Sequence, residues 1–260
     1  MLRSMYSGIS GMKNFQVKLD VIGNNISNVN TVGFKKSTIT FQDLLSQNMS
    51  NSGANPMQVG LGSTSASLNV NHNAGSAMST GVGTDLTIMG DGFFVVQDPE
   101  APGADGQYLT RAGNFTVTAE GNLVTAQGYN VLNENGQPIN ISGYDSYTIN
   151  RLGEVIGKQA DGTEVVAANI GIATPENPAG LRKFGGSLYE MTNIASPAGL
   201  VIENAAEAGT EIGSGMLEMS NVDLTEEFTE MIIAQRGFQA NSRTITTSDE
   251  LLQEVVNLKR

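Results

Sequence analysis

The 260-residue chain has no cysteine, no tryptophan and one histidine. The missing thiols exclude disulfides, thiol nucleophiles and thiolate metal sites, and leave the redox compartment unmarked. A Ser-His-Asp triad would have to use His72, which sits among asparagines in Asn71-His72-Asn73 and reads as a solvated side chain. The chain has no Gly-x-x-x-x-Gly-Lys phosphate loop, no His-Glu-x-x-His pair and no Asp-x-Asp-x-Asp calcium loop. No apolar run is long enough to span a membrane. The opening MLRSMYSGISGMKNFQ lacks the apolar block of a secretory signal, so we expect either a cytoplasmic protein or export without a cleaved signal. Positive charge is scarce: 14 Lys+Arg against 26 Asp+Glu give a net charge of −12. That balance argues against nucleic acid or an anionic membrane as the main partner. Hydrophobic residues make up 39% and glycines number 31, a composition that favours short strands and turns over one thick helical core.

What is present is concentrated at the two ends. From Asp223 onward, Leu224, Met231, Phe238, Ile245 and Leu252 recur every seven residues. Seven residues are nearly two helical turns, so these side chains share one narrow stripe. Phe228 and Val256, four residues after members of that row, are read as widening it; Gln235, Ser242 and Asp249 fill the same offset and make the seam half polar. Asp223 is a good N-cap, Glu226 completes a capping box, and Lys259 and Arg260 suit the negative end of the dipole. A helix of this length would span roughly 50 Å, and a one-sided stripe that long needs a partner helix.

The N-terminal segment carries the matching pattern. Met12, Phe15, Leu19, Ile22, Ile26 and Val29 follow the alternating three-four spacing of a coiled-coil seam, and Gly8 and Gly11 weaken its first turns. Asn24, Asn25, Asn28 and Asn30, then Thr31-Val32-Gly33, mark its end. The asparagines are open to two readings: a helix cap, or exposed amides that bond to neighbouring chains. The economical arrangement is an antiparallel coiled coil of the two terminal helices. Two helices cannot cover both stripes, so contacts with other copies are expected, the alternative being that both dock on the chain's own middle.

Residues 31–80 read as a linker or extended segment, with one strand around Leu61, Leu68 and Val70 and a short helical turn before Leu45. Residues 81–220 read as a β-rich domain. Asp85–Met89, Phe93–Gln97, Tyr108–Thr118, Leu123–Leu132, Tyr147–Ile149, Glu154–Gly157, Val165–Ala173 and Gly215–Ser220 are the expected strands, with Glu203–Gly213 loose. The expected fold class is α+β, mainly β: an antiparallel sandwich or barrel-like body with long helices at both ends, 1–30 and 221–260. Asp85, Asp91 and Asp98 are read as turn caps, not metal ligands, and Arg111 as either a cross-strand ion pair or a contact between subunits. No catalytic, cofactor or metal residue is assigned, and the chain is not expected to be an enzyme. A glycan-binding β module is the remote alternative.

Three separated stretches then match one family. Gly23-Asn24-Asn25-Ile26-Ser27-Asn28-Val29-Asn30-Thr31-Val32-Gly33-Phe34-Lys35-Lys36 resembles the N-terminal signature of bacterial flagellar rod and hook proteins, with Gly23 and Ser27 at its two usual alanines. Gly90-Asp91-Gly92-Phe93-Phe94, Tyr108 to Phe115 and Gly121 to Val124 resemble its β-domain signature. Ser220 to Leu224, Ala234 to Phe238 and Thr246 to Glu250 resemble its C-terminal signature. The resemblance implies an axial structural protein of the flagellum, exported unfolded by the flagellar type III apparatus. It would form a helical tubular homopolymer, meeting other axial proteins and hook–filament junction or cap proteins. Terminal helices would line the inner wall and the β domain the outer layer. The ends look most like the short hooks of some Gram-positive bacteria, and the linker after Leu45 is shorter than in typical distal rods. The sequence is therefore read as a hook subunit, a torque-transmitting joint, with distal rod as the alternative. The residues expected to pack between subunits are Met12, Phe15, Leu19, Ile22, Asn24, Asn25, Ile26, Asn28, Val29, Gly33, Phe34, Leu224, Phe228, Met231, Phe238, Ile245 and Leu252.

Overall fold

A computed structural model describes residues 2–50, 57–101, 103 and 106–258. The closing Lys259 and Arg260, and residues 51–56 of the expected linker, lie outside the described residues. The chain divides into two compact units: 1–28 with 36–71 and 222–260, and 29–35 with 72–221.

The first unit is built on two helices, α1 (Leu2–Ser27) and α2 (Leu224–Asn257). The Asp223 side chain accepts the backbone N–H groups of Thr225 and Glu226, which sets the start of α2. Those bonds hold the Asp223 carboxyl below its usual pKa. The reciprocal half of the expected capping box is not made; the Glu226 carboxylate reaches Lys36 Nζ at 2.8 Å. The helices run antiparallel. Cβ positions at Gly8 and Gly11 would face Ile245 and Asn241, one at Gly237 would lie 2.5 Å from the Phe15 ring, and Lys18 pairs with Glu230. Much of the stretch expected to be linker is a two-stranded antiparallel ribbon, Ser37–Asp43 with Ser63–Val70, and the turn of helix expected before Leu45 is strand instead. Phe41 of the ribbon meets Phe15 edge-on. A short pair, Gln47–Ser50 with Met57–Val59, extends the segment.

The second unit is a β body with one eight-stranded sheet. Its order is Arg182–Gly185, Leu188–Glu190, Gln107–Thr110, Phe93–Gln97, Asn130–Val131, Leu123–Thr125 and Phe115–Val117, with Ile172–Ala173 also on Phe93–Gln97. The sheet is open, so the barrel-like expectation does not hold. Phe93–Gln97 is buried on both faces: Phe94 and Val96 enter one apolar cluster with Phe115, Leu123 and Ile172, while Phe93 and Val95 enter another with Leu109, Leu132 and Tyr189. This is why its sequence is a continuous apolar run rather than an alternating one. Each such burial contributes about 1.5–3 kcal/mol. Smaller antiparallel groups complete the body: Ser146–Ile149, Glu154–Lys158 and Glu164–Asn169; Glu211–Ser214 on Leu86–Met89; and Met216–Glu218 on Ala77–Ser79. The region expected to be loose thus carries a paired strand. The expected strand Tyr108–Thr118 is split because Arg111 turns inward and Gly113 lies against Leu86.

Candidate functional site

In the helical unit the structure corrects the second row of the seam. The row Met231, Ile245 and Leu252 is half-buried, as its period predicts. The row that joins it lies three residues on from Leu224, not four: Glu227, Ala234 and Ser248 are buried, and Asn241 is half-buried. Phe228 and Val256, on the expected row, are 50% and 65% exposed. Small and polar side chains at the inner row, with Gly8, Gly11 and Gly237, let the helices approach closely. The larger apolar residues are turned outward. Among the described residues of this unit only Ile22 and Ala234 are buried apolar side chains. Leu224 and Phe238 are exposed at 40% and 37%, and Ile232, Leu251 and Val255, which the heptad did not single out, are more than half exposed. Met12, Phe15, Leu19 and Ile26 on α1 are half-buried.

The asparagine cluster separates by position. Asn25 is 1% exposed, and both atoms of its amide are used. Nδ2 donates to Ser37 O at 2.9 Å and Glu227 Oε2 at 3.1 Å, and Oδ1 accepts from Ser37 N at 3.1 Å. It is therefore no exposed amide for a neighbour. Asn28 Nδ2 donates to Asn24 O, the cap reading, and the Asn24 side chain is on the surface. Glu227 and Glu226 also hold Lys36, each at 2.8 Å. Burial lowers the Lys36 pKa, but the hydrogen bonds to Glu226 and Glu227 outweigh it and hold the ammonium above its usual range.

In the β body three buried charges meet. Lys35 Nζ lies 2.5 Å from Glu218 Oε1, and Arg111 Nη1 lies 3.3 Å from Glu218 Oε2. Side-chain exposures are 0%, 3% and 2% for Lys35, Arg111 and Glu218. Lys35 also donates to Asn73 O, Arg111 to Ile88 O and Gly90 O, and the Gly75 N–H donates to Glu218 Oε1 at 2.9 Å. Burial draws the Lys35 pKa down, opposed by its bond and attraction to Glu218. Arg111 is thus an internal ion pair, and its burial rules out the reading as a subunit contact. Gly33, at φ 67°, brings the chain against Arg111 and Ala112; a Cβ there would lie 2.5 Å from Ala112 N. Gly33, like Ile22 and Asn25, is interior, whereas Val29 and Phe34 are half-buried, with Lys183 Nζ 5.1 Å from the Phe34 ring. Nothing in the sequence singles out Glu218, and Lys35 is marked only by its place in the N-terminal signature.

His72 is half-buried, not freely solvated. Its ring packs edge-on against Phe93 and Tyr189, at 5.6 and 5.5 Å, and its Nδ1 is buried without a hydrogen-bond partner. Burial, then the charges of Lys35, Arg111 and Lys183, lower its pKa to about 4. The unfolded chain, with a normal histidine near 6.5, binds the proton first. Stability from this group is complete above about pH 6.5 and falls as pH drops toward about 4. We expect His72→Phe, which keeps the ring contacts, to flatten the melting temperature between pH 6.5 and 5; an unchanged slope over that interval would contradict this.

Asp98 accepts the Glu100 N–H, as a turn cap does, whereas Asp85 accepts the Thr80 hydroxyl, a bond between side chains. Among the described residues no three His, Asp or Glu side chains are grouped to hold a metal, and no helix is long and apolar enough to cross a membrane.

Three family models match: the flagella basal body rod protein model at residues 5–35, the flagellar hook protein FlgE/F/G D1 domain at 87–157, and the flagellar basal body rod FlgEFG protein C-terminal at 214–258. Each contributes one member of the buried charge cluster. The chain is 51% identical over 270 residues to the flagellar basal-body rod protein FlgG of Bacillus subtilis, covering all of both chains. It is 38% identical over 275 residues to FlgG of Borreliella burgdorferi, again end to end. The flagellar hook protein FlgE of that same organism is 27% identical over an alignment of 447 residues that covers both chains. By these matches the chain belongs to the family of flagellar rod and hook proteins, the axial structural subunits of the bacterial flagellum.

Proposed function

We propose that the chain is a subunit of the flagellar rod and acts by assembling with copies of itself, not by catalysis. The sequence read alone leans to a short hook; the relatives reverse that order. Rod relatives align end to end over spans near the chain's own length, at up to 51% identity, whereas one hook relative needs a far longer alignment and another is matched over only 43% of its length. The observation that carries assembly is the exposed apolar surface of the helical unit. The helices pair as a short antiparallel coiled coil whose seam is small and polar, leaving Phe228, Ile232, Leu251 and Val255 outside. Burying the remaining half of such a side chain contributes roughly 1 kcal/mol. Several of them per copy, repeated along a lattice, offset an association cost of about 4–15 kcal/mol. Contacts of this kind are heterologous and open-ended, the geometry of a tube. Further axial proteins at each end of the tube and delivery by the flagellar export apparatus belong to the same reading.

The outer face should be separable from folding. Phe228→Glu with Ile232→Glu is expected to leave helix content and melting temperature nearly unchanged and to abolish tube formation by the concentrated chain. Tubes formed by that variant would sink the assembly reading. Electron microscopy of basal bodies from a strain lacking the chain tests rod against hook: the rod reading expects the distal shaft to be missing, and an intact shaft ending bare would return the assignment to hook.

A further inference from the structure

We propose that Lys35, Arg111 and Glu218 form a latch that makes seating of the 29–35 segment on the β body conditional on the arrival of Glu218. This goes beyond assembly and does not depend on it. The three residues come from widely separated parts of the chain: Lys35 and Glu218 are 183 positions apart, and Arg111 and Glu218 are 107 apart. Glu218 is the one acidic side chain within ion-pair distance of either cation among the described residues. Without it, two cations that are at most 3% exposed would keep no anionic partner among the described residues: Lys35 would retain Asn73 O, and Arg111 would retain Ile88 O, Gly90 O and the face of the Phe93 ring at 5.2 Å. A buried charge stripped of its counter-ion is strongly unfavourable, far more so than the intact pair is favourable. The cations therefore stay in water until the carboxylate is in place.

The 29–35 segment is held to the body by individual contacts, not by a strand ladder. It belongs to no strand. Its ties to the body include Gly33 N–H to Glu218 O at 2.8 Å, Ser187 Oγ to Val32 O at 3.2 Å, Lys183 Nζ to Lys35 O at 3.3 Å and Lys183 Nζ over the Phe34 ring at 5.1 Å. The body beneath has a continuous sheet and two apolar clusters of its own. Losing the charge balance should free the segment first and leave the sheet folded. In a chain made from its N-terminus, 218 of the 260 residues must be available before the segment can seat. The N-terminal signature is thereby kept unlocked until Glu218 has been made.

Amide hydrogen exchange on the full chain tests this. In Glu218→Gln the side chain keeps its shape and acceptor oxygen but loses its charge. The Gly33 amide, whose acceptor is the backbone carbonyl of residue 218, is expected to exchange on the order of a hundredfold faster. The Leu132 and Ile172 amides, bonded to Val95 O and Glu203 O within the body, should stay within several-fold of the parent chain. Adding Lys35→Met to Glu218→Gln removes the stranded ammonium and should restore most of the Gly33 protection. Unchanged Gly33 protection in Glu218→Gln overturns the latch. So does loss of protection at Gly33, Leu132 and Ile172 together that Lys35→Met fails to reverse, because the cluster would then be only one more part of a cooperative core.

Discussion

Gly113→Ala should lower the melting temperature of the β body by about 10 °C, the larger of two substitution effects that the packing dictates. The added Cβ would stand 1.8 Å from Leu86 O and 2.7 Å from its carbonyl carbon. Those are backbone atoms, so no rotamer change relieves the contact. The two chains meet here because Gly113 O accepts the N–H groups of both Leu86 and Phe115, at 3.0 Å each. Forcing them apart would open the cluster that contains Leu86, Phe115 and Phe94, all at most 1% exposed. Overpacking a core costs about 1–3 kcal/mol where side chains can yield, and a backbone clash belongs at or above the top of that range. Five of the six tyrosines, Tyr108, Tyr129, Tyr144, Tyr147 and Tyr189, lie in this unit, so tyrosine emission follows its melting. Gly83→Ala is the control: a Cβ there meets nothing within 4 Å, and the melting temperature should stay nearly the same. If Gly113→Ala melted beside the Gly83→Ala control, the close contact with Leu86 would not be a constraint on the fold.

Where the sequence was legible, local rules sufficed. The Asp223 cap, the heptad row through Met231, Ile245 and Leu252, and the strand Phe93–Gln97 follow from spacing and side-chain type alone. The inner row of α2 was not legible, because the choice between offsets of three and four depends on the partner. Apolar Phe228 outweighs Glu227 in any periodicity argument. The structure buries Glu227 instead, since Asn25 and Lys36 supply its hydrogen bonds. Gly8 and Gly11, which weaken a helix taken alone, are what allow α2 to approach. His72 misled for a similar reason: its sequence neighbours are polar, but its neighbours in space are Phe93 and Tyr189. The Lys35–Glu218–Arg111 cluster lay furthest from reach, since no pattern of short period links such distant residues. The family signatures contained Lys35 and Arg111 but not Glu218, and nothing in them indicated that the three meet.

Asn25→Leu is expected to disorder the helical unit while the β body keeps its own melting transition. The substitution keeps the branched shape but removes every polar atom of the side chain. Ser37, at 8% exposure, then loses the amide that now pairs with both its N–H and its C=O, and Glu227 loses a donor. Each buried group left without a partner costs about 1–3 kcal/mol. In the β body such a loss would be absorbed by two large apolar clusters. In the helical unit, with Ile22 and Ala234 as the buried apolar side chains among its described residues, there is little to absorb it. The amide also fixes three elements at once: the end of α1, the start of the ribbon at Ser37 and the first turn of α2. We therefore expect far-UV circular dichroism to show a loss of helix at temperatures where tyrosine emission still reports a folded body, and tube formation to fail. Asn25→Asp, which keeps an acceptor for Ser37 N but sets a carboxylate beside Glu227, should be as damaging as Asn25→Leu. A full helical signal in both variants would mean that the packing between the helices, not this buried amide, holds the unit together before any neighbour arrives.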